Sequence, residues 1–292
     1  METLPETLQP WFAATIDIAL AGCAGGATLL GRVPSNASFR FVRASLGLLV
    51  IGLLAHLWAG SMAMSGAPLE ETFSAIRTVL LQTSFGATIL VSAFGCVTLA
   101  SALFLSGRQP PGRMRHGVAW AGLAILSYAR AAAGHGMDSG WISMAVLVHA
   151  LHVLAGSVWA GSVALCTCMA FTWAEWEPEQ RIVMAHRVSH AATVALLVVI
   201  VSGILNTWRM LGSAALMLSE PYVRLLAWKL LLVLSAISMG AANRWLMMPR
   251  MRNASTAHQA ASVCFGRILL VEWVVLVVVL ILAARLGTTM PP

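Results

Sequence analysis

The sequence predicts an all-α fold, a polytopic transmembrane helix bundle with eight spans. Of the 292 residues, 59% are hydrophobic and only 10% are charged, and the mean hydropathy is +0.82. Water-soluble chains average about 45–50% apolar and about 25% charged residues. Apolar runs of about 20 residues, the length that crosses a bilayer, recur from one end of the chain to the other. Residues 1–292 are therefore expected to form a single integral membrane domain in contact with the lipid bilayer.

The eight spans are separated by short polar segments that carry most of the charge. In chain order they fall near Trp11–Leu30, Arg43–Ser61, Ile76–Leu105, Gly117–Ala133, Trp141–Trp173, Ala191–Arg209, Tyr222–Met247 and Gly266–Arg285. The first span contains a run of small residues, Ala21 to Gly26, which is typical of helices that pack closely in lipid. It is not expected to be a signal peptide, because Glu2 and Glu6 replace the basic start and Asp17 interrupts the apolar run.

Arginines concentrate in alternate loops, those after spans one, three, five and seven. They include Arg32, Arg40, Arg108, Arg113, Arg115, Arg181, Arg187, Arg250 and Arg252. The positive-inside rule places these loops in the cytoplasm. We therefore expect a multi-pass protein of the bacterial inner (cytoplasmic) membrane with both termini periplasmic. The net charge of +7 reflects these loops and does not indicate nucleic-acid binding, since no basic helix or aromatic stacking platform is present.

Histidines and methionines collect on the predicted periplasmic side. His56 ends span two, and His149 and His152 descend span five. The outer loops are expected to hold the others, which are Met62, Met64, His135 and Met137. A buried polar group without a partner costs roughly 2–7 kcal/mol, so apolar spans do not carry imidazoles without a reason. Imidazole and thioether ligands suit copper, and the sequence predicts a copper site that uses at least two helices.

Other interpretations of the same residues stay open at this point. His149 and His152 are three apart and share a helix face, so they could bind one ion or form two hydrogen bonds to a neighbouring helix. Methionines in an apolar chain also serve as packing residues. Cys166 and Cys168 resemble a metal-binding pair, but residues two apart on a helix point to different sides. We interpret these cysteines as core residues.

Charges inside the spans are expected to be paired. Asp17 and Lys229 both fall in the outer halves of spans, so they could pair across helices. Glu272 lies nearer the inner side, as do Arg244 and Arg267. An unpaired charge at the bilayer centre costs at least about 2.5–3.5 kcal/mol on insertion scales. Structural ion pairs are therefore the first interpretation of all these residues.

No motif for enzymatic catalysis is found in the sequence. Neither a Gly-x-Ser-x-Gly elbow nor a His-Glu-x-x-His zinc motif is present. A Gly-x-x-x-x-Gly-Lys phosphate loop is also missing from the sequence, which argues against ATP-driven transport. We expect a protein that is not an enzyme.

Three segments resemble the CopD/PcoD family of copper-resistance inner-membrane proteins. The first runs from His149 and His152 to a Trp159-Ala-Gly161 element, and the second is Ser202-Gly-Ile-Leu-Asn206. The third begins at Trp228-Lys229 and continues through Gly240-Ala-Ala-Asn243-Arg244 to Pro249-Arg250. Together they lie within about residues 143–252, and their order and spacing are similar to those of the family.

The resemblance implies a protein that moves copper between periplasm and cytoplasm, in the import direction, for copper homeostasis or resistance. It implies copper ligands at His56, His149 and His152, with Met62, Met64, His135 and Met137 as further candidates, and a separate periplasmic CopC-like carrier as partner. Two alternatives remain from the residues themselves: a copper-delivery protein without transport, and a haem b electron carrier with paired histidines. The sequence leaves open the oxidation state of the copper and a homo-oligomeric assembly.

Overall fold

The computed structural model describes residues 4–29, 36–66, 71–104, 112–133, 140–170, 176–211, 220–252 and 256–289, and these contain no strand. The first five helices are α1 (Leu4–Leu29), α2 (Asn36–Ser65), α3 (Thr72–Gln82), α4 (Ser84–Phe104) and α5 (Arg113–Ala132). They are followed by α6 (Met144–Ala170), α7 (Pro178–Leu211), α8 (Pro221–Ala242), a π-helical turn (Asn243–Met247), α9 (Met248–Met251) and α10 (Thr256–Leu286). The predicted all-α fold is confirmed.

Seven helical stretches in the described part of the chain are long and apolar enough to cross a membrane. The predicted third span is broken at Thr83, whose backbone is extended between α3 and α4. The Thr83 hydroxyl donates to the carbonyl of Val79 (2.6 Å) and accepts the N–H of Gly86 (3.0 Å). The hydroxyl thus satisfies backbone groups at both helix ends, and this local bonding explains why an apolar run of one composition forms two helices.

The predicted fourth span corresponds to α5, which lies antiparallel to α4. A Cβ atom on Gly122 would be 2.8 Å from the backbone nitrogen of Leu99, and the Arg115 guanidinium donates to the carbonyl of Ala102 (3.5 Å). A 20-residue helix is about 30 Å long, enough to cross the hydrocarbon core. However, α5 also carries Arg113 and Arg130 and is not among the seven apolar stretches, so a count of eight spans stays a prediction.

The first and last helices meet at one end of the bundle. The Arg285 guanidinium near the end of α10 lies 5.5 Å from the ring centre of Trp11 near the start of α1. Ala13 and Ala14 of α1 pack against Ala284 in the same region. This contact places the start of α1 and the end of α10 on the same side of the membrane, which requires an even number of crossings. The assignment of that side to the periplasm stays a prediction.

Among the glycines in the described part of the chain, the closest approach to a neighbour occurs where α1 crosses α6. A Cβ atom on Gly161 would lie 1.7 Å from the carbonyl oxygen of Ala21, and one on Gly25 would lie 2.0 Å from the carbonyl oxygen of Gly161. Only glycine permits this approach of two backbones, which is how small residues drive helix packing in lipid. The small-residue run in the first span therefore positions α6, the helix that carries His149 and His152.

Helices α7 and α8 lie at the outside of this core. Helix α7 packs mainly on α6 and α8 mainly on α10. At the predicted cytoplasmic end they are bridged by Arg244, which donates to the hydroxyls of Ser189 (3.1 Å) and Thr193 (2.9 Å) on α7. Further along, Trp208 of α7 and Trp228 of α8 are exposed. Because these two helices pack on α6 and α10 and hardly on each other, we call the region between them, beside α6, the α7–α8 cleft.

Replacing Gly161 by alanine should destabilise the bundle by about 1–3 kcal/mol, because the new methyl group overlaps the backbone of α1. The measurement is the thermal unfolding midpoint of the detergent-solubilised protein. The matched control is Gly156→Ala on the same helix, where a Cβ atom meets nothing within 4 Å. The α1–α6 crossing is not the tightest constraint in the bundle if both alanine variants unfold at the same temperature.

Candidate metal centre

A buried ion pair joins α1 to α5. The Arg130 guanidinium donates from Nε to Asp17 Oδ1 (2.7 Å) and from Nη2 to Asp17 Oδ2 (2.9 Å). The expected pairing of Asp17 with Lys229 is therefore wrong, although Lys229 remains within electrostatic range of Asp17. The forked guanidinium matches both carboxylate oxygens, which a single ammonium group cannot do.

His149 and His152 lie side by side on α6, facing α7. Their rings are stacked, with centres 6.3 Å apart and an interplanar angle of 13°. His152 Nδ1 lies 3.0 Å from the Ser202 hydroxyl, and His149 Nδ1 lies 3.4 Å from the Asn206 amide nitrogen. Ser202 and Asn206 were not among the predicted site residues. Their signal in the sequence is a pair of polar residues four apart in an otherwise apolar span, matching the two histidines on the facing helix.

The Ser202 contact determines which nitrogen of His152 is free. The hydroxyl of Ser202 donates its one hydrogen to the carbonyl of Val198 (2.5 Å). It must then accept from His152, so the proton of the neutral imidazole is on Nδ1 and Nε2 carries a lone pair. Gly203 allows this contact, since a Cβ atom there would lie 3.3 Å from Cε1 of His152. The Nε2 atom of His152 is thus prepared to bind a metal ion.

The Asn206 contact leaves one buried acceptor without a partner. The distance of 3.4 Å to His149 is long for a hydrogen bond, and Asn206 Oδ1 has no partner among the described residues. Exchanging the oxygen and nitrogen of the amide lets His149 Nδ1–H donate to Oδ1 and frees His149 Nε2. Binding of a metal ion through Nε2 of His149 selects this second arrangement.

His56 lies in a different place, in a small cavity bounded by α1, α2, α4 and α5. The cavity volume is about 20 Å³, enough for one water molecule or one ion. Phe85 contacts the imidazole edge-on with ring centres 5.3 Å apart, and His56 Nδ1 has no hydrogen-bond partner among the described residues. Arg130 lines the same cavity and is also within electrostatic range of His149. Arg130 is thus within electrostatic range of both imidazole positions.

The predicted methionine ligands are not brought together. Met62 and Met64 were expected in a loop, but both lie in the last turns of α2. Met62 is buried and its sulfur accepts from the Thr72 hydroxyl (3.8 Å), whereas Met64 is 56% exposed. Two residues apart on a helix, they point to different sides. His135 and Met137 fall outside the described residues.

The residues that fit a metal ion best are thus His149 and His152. No group of three or more His, Cys, Asp or Glu side chains close enough to hold an ion is found in the described ranges. His56 joining the other two histidines in one site stays a prediction. Imidazole nitrogens lie about 2 Å from a bound first-row metal ion. The two rings are stacked with centres 6.3 Å apart, so they would have to turn toward each other for one ion to bridge them. A third ligand would come from water.

The remaining buried acid, Glu272, is not paired with an arginine in the described part of the chain. It lies on α10, is 3% exposed, and accepts a hydrogen bond from the Trp159 indole of α6. The expected pairing with Arg244 or Arg267 is wrong, because Arg244 donates to the α7 hydroxyls and Arg267 is exposed. Sequence position alone placed these groups on one membrane side but did not give the rotation of their helices.

Replacing Arg130 by methionine should lower stability by about 3–5 kcal/mol, because the Asp17 carboxylate stays buried without its partner. The measurement is thermal unfolding in detergent. The double variant with Asp17→Asn removes both charges and should recover most of the loss. Equal or additive losses in the double variant would contradict a coupled ion pair.

Comparison with known proteins agrees with the copper-resistance resemblance. The family described as copper resistance protein D matches residues 183–286, which cover most of α7 and all of α8, α9 and α10. "Inner membrane protein YebZ" of Escherichia coli (strain K12) is 28% identical over 233 residues, covering 78% of this chain and 77% of the relative. No solved structure matches the chain. The resemblance is thereby confirmed: this chain is a multi-pass inner-membrane protein, and its residues 183–286 match the copper resistance protein D (CopD) family.

Proposed function

We propose that this protein binds copper at His149 and His152 and moves it from the periplasm into the cytoplasm, as a transport protein without enzymatic activity. The observation that carries the proposal is the stacked imidazole pair whose Nδ1 edges are held by Ser202 and Asn206 of α7. Hydrogen bonds to the non-ligating nitrogen fix the orientation of metal-binding histidines in general. Here the partners are one hydroxyl group, of Ser202, and one amide group, of Asn206, and both lie on α7.

Copper is the metal favoured by the family and by the ligands. The matched family is a copper-resistance family, and imidazole nitrogen is a good ligand for copper. A neutral imidazole pair adds no charge of its own, so the ion's charge must be tolerated by the surroundings. These surroundings contain Lys229, which is within electrostatic range of both histidines.

The charge balance around the pair favours the singly charged ion. Arg130 is neutralised by Asp17 through two hydrogen bonds, whereas no ion pair of Lys229 occurs among the described residues. Repulsion between a bound cation and Lys229 grows with the charge of the ion and is strong where water is scarce. We therefore propose Cu(I), rather than Cu(II), as the transported form.

The proposed driving force is the membrane potential. A cation gains about 2.3 kcal/mol per charge per 100 mV on moving to the negative side of a membrane. The chain carries no phosphate-binding loop for ATP. Delivery of copper by a periplasmic CopC-like carrier is part of the proposal.

The haem alternative fits the imidazole pair poorly. Two axial ligands of one haem approach its iron from opposite faces of the haem plane. His149 and His152 are instead neighbours on one helix, with their rings stacked. His56 lies in a separate cavity of about 20 Å³, which is far too small for a haem.

The double variant His149→Ala, His152→Ala should bind copper at least tenfold more weakly than the unchanged protein, because both imidazole ligands are removed. Copper binding to purified protein, added as Cu(I) and separately as Cu(II), is the measurement. The matched control is His186→Ala, His190→Ala, which removes two exposed histidines of α7. Unchanged affinity in the first variant rules out this site.

Ser202→Ala should weaken copper binding by about 10–100-fold, the usual effect of losing a hydrogen bond to a ligating histidine. The control is Ser235→Ala on α8, whose hydroxyl donates only to its own helix at Leu231 (3.0 Å). If both serine variants bind copper alike, the orientation of His152 does not depend on α7.

Sealed proteoliposomes with a negative interior should take up copper, and the histidine double variant should not. Reversing the potential should slow uptake, since the cation then moves against the field. If copper binds normally but none enters, the transport proposal is wrong and copper delivery without transport is the better explanation.

A further inference from the structure

A second polar cluster lies in the predicted cytoplasmic half of the bundle, away from the histidine pair. Its members come from three helical segments: Trp159 of α6, Asn243 of the π-helical turn and Glu272 of α10. Asn243 is 4% exposed and Glu272 is 3% exposed. Nothing in the proposed function uses these residues. Ionisable residues inside a membrane are usually functional, so the cluster needs an explanation.

Glu272 has no cationic partner among the described residues. The Trp159 indole donates a hydrogen bond to its carboxyl group. The two arginines expected from the sequence to pair with it do not do so: Arg244 donates to hydroxyls of α7 and Arg267 is exposed. One neutral N–H group does not balance a buried carboxylate. The buried carboxyl group therefore needs either a proton or a nearby cation to balance its charge.

Asn243 contributes unused hydrogen-bonding groups beside this acid. Both Oδ1 and Nδ2 of Asn243 are buried without a partner in the part of the chain that is described. Gly240, one helical turn before Asn243, faces Glu272 so closely that a Cβ atom would lie 3.4 Å from Glu272 Oε1. Residues three apart share a helix face, which places Asn243 next to the acid. The π-helical turn that begins at Asn243 is of a kind often found at functional sites.

The cluster lies on the face of α6 that also carries the histidine pair. Trp159 follows His152 by two turns, about 10 Å along the helix axis. Gly156 lies between them on the same face, and a Cβ atom there would meet nothing within 4 Å. Open space therefore borders α6 between the two polar groups. A cation leaving the histidines toward the cytoplasm would move in the direction of Glu272.

We propose that Glu272, supported by Trp159 and Asn243, is a proton-exchange site that gives up its proton when a copper ion occupies the α7–α8 cleft and regains it when the ion leaves. The inference rests on the proposed copper transport. In each cycle the O–H bond of the carboxyl group breaks, the proton passes to water, and the carboxylate balances the charge of the cation. The bond re-forms on departure of the ion, and no electron is transferred.

The helices that pack around Glu272 carry other titratable groups, whose positions are as follows. The Cys166 thiol of α6 is buried and within electrostatic range of Glu272. On α1, Asp17 is held by Arg130 and Cys23 is buried. Lys229 of α8 precedes Asn243 by about 20 Å of helix, toward the predicted periplasmic side. Cys166 is thus the group that a test must separate from Glu272.

The test is infrared difference spectroscopy of the purified full-length protein, with Cu(I) added against the metal-free state. Metal-free protein should show a protonated-carboxyl C=O band that shifts in deuterium oxide, and Cu(I) should remove it. Glu272→Gln should lack this change, whereas Glu272→Asp should retain it. The matched control Glu179→Gln removes an exposed carboxyl group of α7, and Cys166→Ser removes the neighbouring thiol; both should keep the band.

Cu(I) binding is measured on the same samples, so the two proposals can fail separately. The exchange proposal is overturned if metal-free protein has no carboxyl band that depends on Glu272. It is also overturned, with the binding proposal intact, if Cu(I) binds to the histidines and the band persists. Absence of Cu(I) binding overturns the proposed function itself, and the exchange proposal with it.

Discussion

The ion pair between Asp17 and Arg130 is the constraint on which the arrangement of this bundle depends. It fixes α5 against α1 through two charge-assisted hydrogen bonds of 2.7 and 2.9 Å. Because the guanidinium lines the His56 cavity and is within electrostatic range of His149, the pair also contributes to the charge that both imidazole positions experience. With Arg130 neutralised in place, a cation can bind near it at much lower cost than beside a free guanidinium.

Helix α6 packs on α1 with one face and carries the candidate metal ligands on another. One of its faces meets α1 at Gly161, where two backbones touch. Another face presents His149, His152 and Trp159 to the neighbouring helices. Because the glycine crossing fixes the rotation of α6, it also fixes where the imidazoles point. Glycines that are not metal ligands therefore determine the geometry of the candidate metal centre.

The positions of the helices could be predicted from the sequence, because one physical constraint acts on each long segment. The partners of individual side chains could not, because they depend on the direction in which each side chain points. The bilayer requires continuous apolar helices, so hydropathy located the helices well. Knowing on which side of the membrane a residue lies did not identify Arg130 as the partner of Asp17, because the pairing depends on how each helix is rotated about its axis. The break at Thr83 and the contacts of Ser202 arise from single hydroxyl groups, which average hydropathy does not detect. The place of His149 and His152 on a shared face followed from spacing alone.

The charges along the α7–α8 cleft differ between its two halves, and this difference bears on the direction of movement. Lys229 lies near the histidine pair in the predicted periplasmic half, whereas Glu272, which is buried, lies in the predicted cytoplasmic half. A copper cation at the histidines is repelled by the first group, and once Glu272 has lost its proton the ion is attracted by the second. In the proposed transport, the attraction by Glu272 acts toward the predicted cytoplasmic side, the direction in which a membrane potential also drives a cation. Two residues that are not themselves predicted copper ligands, Lys229 and Glu272, are thus the charged groups that the proposed import depends on.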